Sequence, residues 1–114
     1  MTTPAADQPL IPQPPSTVTA LRQAVAQISP AALPAFTREL DEAADQARQG
    51  SDLAPLRRFI AQWAVHVQIQ RRPRWAAQLR HWEDAAAIGD AEQARRAASE
   101  IGKILDAAHA ATRP

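Results

Sequence analysis

The sequence predicts an all-α protein of four to five helices, and three observations support this prediction. Alanine, the strongest helix former, occurs 27 times in 114 residues, whereas Val occurs four times and Tyr is absent. Apolar residues recur at the three- and four-residue spacing of a helix face. Breaker residues at Pro30, Gly50, Pro73 and Gly89 separate these periodic stretches. The pattern therefore favours a single small helical bundle.

A proline-rich segment precedes the first helical pattern. Five prolines fall within residues 1–15, where they remove amide donors and push their neighbours toward extended geometry. This composition predicts a flexible arm over residues 1–15 and a helical domain over residues 16–114. Leu10 and Ile11 are the large apolar residues of the arm besides Met1. They either stay in solvent with the arm or dock on the domain or on a partner.

The helix boundaries follow from caps and breakers. The expected helices span about residues 17–27, 34–49, 53–70, 74–88 and 91–111. Ser16 is the expected N-cap of the first, and Ser51 or Asp52 that of the third. Gly50 stands where a left-handed C-cap is expected, and Asp90 with Gln93 forms a capping-box pattern.

The expected core lies on one face of each helix. Its members are Leu21, Val25, Phe36, Leu40, Leu56, Phe59, Ile60, Trp63, Val67, Leu79 and Trp82. The fifth helix carries a narrower seam of Ala94, Ala98, Ile101, Leu105 and Ala108. Val65 and Ile69 lie opposite Trp63 on the third helix. They mark either a self-association surface, and hence a homodimer, or a helix that is enclosed on all sides.

Charge is distributed unevenly along a chain whose net charge is +1. Residues 53–82 contain six arginines and no carboxylate, whereas residues 38–52 contain five acids and two bases. We take Arg71, Arg72, Arg74 and Arg80, with Trp75 beside them, as candidate partner-binding residues. One hypothesis is charge matching, either within the chain by the acidic face of the second helix or by an acidic protein partner. The alternative is a nucleic acid, with arginines on phosphates and Trp75 stacked on a base.

Several function classes are disfavoured by what the sequence lacks. Cysteine is absent, so thiolate catalysis and cysteine-ligated zinc are excluded, and three glycines are too few for a phosphate-binding loop. The three histidines lack metal-ligand spacing, and no nucleophile stands beside a base. We therefore expect no enzyme activity, no cofactor and no metal. Because no signal peptide or membrane-spanning run is visible, we expect a cytoplasmic protein without membrane partners.

A resemblance covers about residues 33–79. An acidic helix containing Phe36 is followed by a D-L-x-P-L helix start at Asp52, Leu53, Pro55 and Leu56, and by Trp63. This arrangement resembles a family of short actinobacterial helical proteins of unknown function, some of which look like partners of small toxins. The resemblance implies an antitoxin-like role and supplies no catalytic residues. Our leading hypothesis is a non-enzymatic protein-interaction module, either antitoxin-like or regulatory, and the alternative is a small nucleic-acid-associated protein.

Overall fold

A computed structural model describes residues 8–112, and this part of the chain contains helices and no strand. The helices are α1 (Val18–Ile28), α2 (Leu33–Gly50), α3 (Ala54–Gln70), α4 (Pro73–Ile88) and α5 (Ala91–Thr112), with a 3₁₀ turn at Pro30–Ala32. The all-α prediction is confirmed. Residues 1–7 of the predicted arm lie outside the described residues. The predicted boundary between arm and domain after residue 15 stays a prediction.

The ends of α1 and α2 each differ from the prediction by one residue. Thr17, not Ser16, caps α1, and its Oγ1 accepts a hydrogen bond from the Ala20 amide at 3.2 Å. Gly50 is still helical, and the left-handed residue is Ser51, with φ 51° and ψ 43°. The reason is that α2 continues for one residue more than expected. The left-handed conformation that ends the helix therefore falls on a serine and not on glycine.

The caps of α3 and α5 are confirmed. The Ala54 amide donates to Asp52 Oδ1 at 3.0 Å, which satisfies a free donor at the start of α3. At α5, the Gln93 amide donates to Asp90 Oδ1 and the Asp90 amide donates to Gln93 Oε1, both at 2.9 Å. This is the reciprocal capping box that the sequence predicts.

Contacts divide the chain into two compact units, and the division falls inside α3. One unit is Ile11–Val67, and the other contains the described residues 8–10 and 68–112. Each unit has its own buried residues, and the predicted core belongs mainly to the first.

The core of the unit Ile11–Val67 is built on aromatic side chains. The predicted core residues Leu21, Val25, Phe36, Phe59, Trp63 and Val67 are buried, and Leu40, Leu56 and Ile60 pack against them while partly exposed. The Phe36 ring meets the Phe59 ring edge-on at 5.0 Å between centroids, and the Trp63 ring at 5.1 Å. Such edge-to-face pairs add to the free energy of apolar burial.

His66 lies beside this core on α3. Its ring centroid is 4.8 Å from that of Trp63, and its Nε2 is 3.2 Å from Ser29 Oγ. Burial lowers the pKa of His66, and the nearby Glu39 carboxylate opposes this shift in part. The neutral imidazole is therefore favoured in the folded protein, as expected for a packed histidine.

The end of the proline-rich segment is docked on its own unit. Ile11 packs against the core cluster, and Gln13 Nε2 donates to the Ala64 carbonyl oxygen at 3.2 Å. Of the two apolar residues that the sequence singled out, Ile11 is therefore docked and Leu10 is exposed.

In the other unit, α4 and α5 form a helical hairpin. Ala76, Ala97 and Ala108 are buried, while Leu79 and Trp82 are only half-buried. The predicted α5 seam is wrong at Ala98 and Leu105, which are exposed. The row that turns inward is Ala97, Ile101, Ile104 and Ala108. Both rows have helical spacing in an alanine-rich helix, so packing and not periodicity selects between them.

Candidate functional site

The arginines at the turn between α3 and α4 have different surroundings. Arg71 is buried, with 8% of its surface exposed, and its Nε donates to Gln68 Oε1 at 2.7 Å. Its carbonyl oxygen accepts from the Leu10 amide at 2.7 Å. Burial lowers the pKa of Arg71, and the neighbouring charge of Arg72 lowers it further. Arg71 therefore organises the turn, and little of it is presented to a partner.

The remaining arginines of the predicted block do not share one face. The Arg72 guanidinium lies over the Trp75 ring, 5.4 Å from the ring centroid, in a cation–π contact. Arg74 and Arg80 are both exposed. Arg80 follows Trp75 by five residues, which places it about 140° around α4 from that ring. The structure thus brings together Arg72 and Trp75, and it separates Arg80 from them.

The apolar pair on α3 is covered to different degrees. Val65 is half-buried, and Ile69 has only 1% of its surface exposed. For Ile69, this burial favours the enclosed alternative over a self-association surface, because a buried side chain offers no area to a second copy. The role of either residue in partner binding stays a prediction.

Two grooves flank Trp82 on the α4–α5 hairpin. The first groove has a volume of about 530 Å³ and is lined by Trp82, Ala85, Ile88, Gly89, Gln93 and Arg96. The second groove has a volume of about 500 Å³ and is lined by Trp75, Gln78, His81, Trp82, Glu100, Lys103, Ile104 and Ala107. Trp82 contributes to both grooves. Its half-buried indole is therefore available from two sides.

The two grooves differ in charge. In the first, the Arg96 guanidinium lies 5.9 Å from the Trp82 ring centroid, and it forms no ion pair with any residue between 8 and 112. In the second, Lys103 Nζ donates to Glu100 Oε1 at 3.1 Å, so its cation is already neutralised. The first groove thus combines an aromatic wall with a guanidinium that forms no ion pair with the described residues.

The first groove depends on close packing at Gly89. A Cβ at this position would lie 2.7 Å from the Ala85 carbonyl oxygen and 2.8 Å from Gln93 Cβ. Only glycine allows this approach, which brings the end of α4 against the start of α5. Ile88, the residue before it, is 86% exposed at the mouth of the groove.

The sequence places Trp82 in the predicted core, and for this reason the first groove is not predicted. A usable signal was present at Ile88, which lies about 120° around α4 from Trp82 and so falls outside the apolar stripe. Arg96 and Gln93 gave no comparable signal, because polar residues on an outer helix face are ordinary.

No group of three or more His, Cys, Asp or Glu side chains that could hold a metal ion occurs among the described residues. None of the helices within residues 8–112 is long and apolar enough to cross a membrane.

The chain matches no known family model, no curated protein and no solved structure. The likeness to short actinobacterial helical proteins therefore stays a prediction.

Proposed function

We propose that this protein is a non-enzymatic interaction module that binds a protein partner in the first groove of the α4–α5 hairpin. The observation that supports the proposal is the combination of Trp82, Ile88 and Arg96 around one groove. Hydration of an isoleucine side chain with 86% of its surface in solvent is unfavourable, and Ile88 lines the same groove as the half-buried indole of Trp82. Tryptophan and arginine are also the residues that most often dominate binding energy at protein interfaces.

The groove defines the chemistry of its partner. An apolar side chain of the partner would displace water from Trp82 and Ile88, whereas a carboxylate beside it would pair with Arg96. An amphipathic helix with an acidic residue next to its apolar anchors meets both requirements. The proposed partner is therefore an acidic, amphipathic helical segment. An antitoxin-like role is a narrower form of this proposal, in which that segment belongs to a small toxin.

One contact favours nucleic acid as a second candidate. Arg72 over Trp75 is an arrangement suited to a phosphate beside a stacked base, with the exposed Arg74 nearby. The net charge of +1 gives no broad attraction to polyanions, which is why the protein partner is preferred.

Selection from a phage-displayed library of acidic amphipathic helical peptides tests the proposal. Peptides that bind the wild type should bind Ile88→Glu at least about 30-fold more weakly, the loss typical of an interface hot spot. Arg96→Gln should weaken binding about 5- to 10-fold through loss of one charge-assisted contact. Arg57→Gln, an exposed arginine on α3, is the matched control and should bind like the wild type.

Two results would contradict the proposal. One is a selection that returns no binder, and the other is a set of binders that tolerate Ile88→Glu. Titration of a generic DNA duplex at several salt concentrations tests the second candidate. Binding that weakens steeply with salt, and less steeply in Arg72→Gln with Arg74→Gln, would favour the nucleic acid.

A further inference from the structure

The outward face of α5 is a second surface, separate from the two grooves. Ala91, Ala98, Gly102 and His109 lie within about 20° of one direction on this helix, and Ala107 and Arg96 of the grooves lie about 140–160° away. Leu105 borders the face and is 42% exposed. This surface plays no part in the proposed groove binding.

The charges that border this face are arranged in a self-complementary way. Arg95 and Asp106 lie about 40° and 60° to one side of its midline, and Leu105 and Ala94 lie about 40° and 60° to the other. Both Arg95 and Asp106 are exposed, and neither forms an ion pair with any described residue. The face therefore has one charged edge and one apolar edge.

When two copies of α5 pack antiparallel with residue 100 at the midpoint, Ala98 of one copy lies opposite Gly102 of the other. In the same arrangement Ala91 lies opposite His109. Arg95 and the second copy's Asp106 fall on the same edge, with axial positions that differ by only about 1.5 Å. The two-fold axis repeats this pair, so one arrangement forms two ion pairs at once. On the opposite edge, Leu105 of each copy lies against Ala94 of the other.

Gly102 gives an independent reason to expect close approach. A Cβ at this position would meet nothing within 4 Å in its own chain, so no contact within the protein requires glycine there. Glycine in the interior of a helix is nevertheless less stable than alanine. The presence of glycine at position 102 is explained if a second helix packs its backbone against Gly102 and Ala98. The distance between the two helix axes is then at the short end of the usual 8–10 Å.

We propose that the protein forms a two-fold homodimer through the outward face of α5, with the helices antiparallel and with Arg95 paired to Asp106 of the second copy. A single helix pair covers less area than the roughly 1,600 Å² of a standard interface. The dimer is therefore weak and concentration-dependent, with a Kd between about 1 μM and about 1 mM.

Sedimentation equilibrium on charge-swapped chains tests the pairing. Arg95→Asp alone and Asp106→Arg alone each place like charges opposite each other, so each should sediment as a monomer. An equimolar mixture of these two variants restores both ion pairs and should dimerise. Gly102→Gln should also be monomeric, and it keeps its fold because the added side chain has open space. Leu53→Glu, a change at another exposed leucine, is the control and should dimerise like the wild type.

Cysteine crosslinking tests the antiparallel orientation in a chain that has no natural cysteine. Ala91→Cys mixed with His109→Cys should form a disulfide-linked dimer. Ala91→Cys alone should not, because its two copies stand about 27 Å apart along the pair. A wild type that stays monomeric at about 1 mM would overturn the proposal. So would a charge-swapped mixture no more dimeric than its components, or rapid crosslinking of Ala91→Cys with itself.

Discussion

Trp63 at the centre of the aromatic cluster provides the most direct test of the fold. Truncation to alanine removes a buried indole that contacts Phe36, Phe59 and His66. Loss of about 150–200 Å² of buried apolar area, at about 25 cal/mol per Å², costs about 4–5 kcal/mol, and the lost ring pairs add to this. The Trp63 Nε1–H is buried and has no hydrogen-bond partner among the described residues. Removal of this unpaired donor should stabilise the folded state by about 1–3 kcal/mol. The expected net loss of stability in Trp63→Ala is therefore about 3–5 kcal/mol.

A second substitution separates these two contributions. Trp63→Phe keeps a ring against Phe36 while it removes the unpaired N–H, so it should cost less than about 1.5 kcal/mol. Urea denaturation followed by far-ultraviolet circular dichroism measures both variants, because this signal does not depend on the indole. Leu53→Ala, at an exposed leucine, is the control and should change stability by less than about 0.5 kcal/mol.

Either of two results would refute this reasoning about Trp63. If Trp63→Ala unfolds at the same urea concentration as the wild type, the aromatic cluster does not hold α3 in place. If Trp63→Phe is as unstable as Trp63→Ala, a phenyl ring recovers none of the packing and the loss of the unpaired N–H brings no gain, contrary to both parts of the reasoning.

Three further predictions concern single positions. Gly89→Ala should destabilise the protein by about 1–3 kcal/mol in urea unfolding, because its Cβ would contact the Ala85 carbonyl oxygen at 2.7 Å, and an unchanged midpoint would contradict this. Ser51→Gly should stabilise it by about 0.5–1 kcal/mol in the same assay, since Ser51 has a φ of 51°, whereas a loss of stability would show that the serine side chain has a role. His66 has a lowered pKa in the folded state, so the unfolded state binds its proton more readily. The contribution of neutral His66 to the free energy of unfolding should be fully present above about pH 6.5 and should fall as the pH drops below that value. Melting curves of His66→Gln should lack this dependence on pH.

The sequence was sufficient for the elements that depend on local chemistry. Asp90 and Gln93 form their capping box, and Asp52 caps α3, because both patterns act within a few residues of chain. The core around Phe36 and Trp63 was also predictable, since large apolar side chains at helical spacing have few alternatives to burial. These signals are strong because each depends on neighbours along the chain or on a large hydrophobic free energy.

The candidate site was predicted less well than the fold. The sequence grouped Arg71, Arg72, Arg74 and Arg80 by their proximity in the chain, but burial removes Arg71 and the helical turn directs Arg80 elsewhere. Charge density along a chain does not report which side of a helix each charge occupies relative to the packed face. The first groove was missed for the same reason, because Trp82 has helical spacing with the core stripe whether it is buried or half-exposed.

What the sequence determined by itself was an all-α protein with these helices, their caps, and an aromatic core. What only the tertiary structure decided was which row of α5 faces inward, how much of Trp82 and Ile69 is covered, and which arginines remain at the surface. The physical reason is that the free energies of burying alternative helix rows are similar in size. In an alanine-rich helix such as α5, neighbouring rows differ by only a few methyl groups, at about 0.8 kcal/mol per buried CH₂. Periodicity alone cannot separate such rows, and the shape of the facing helix selects one of them.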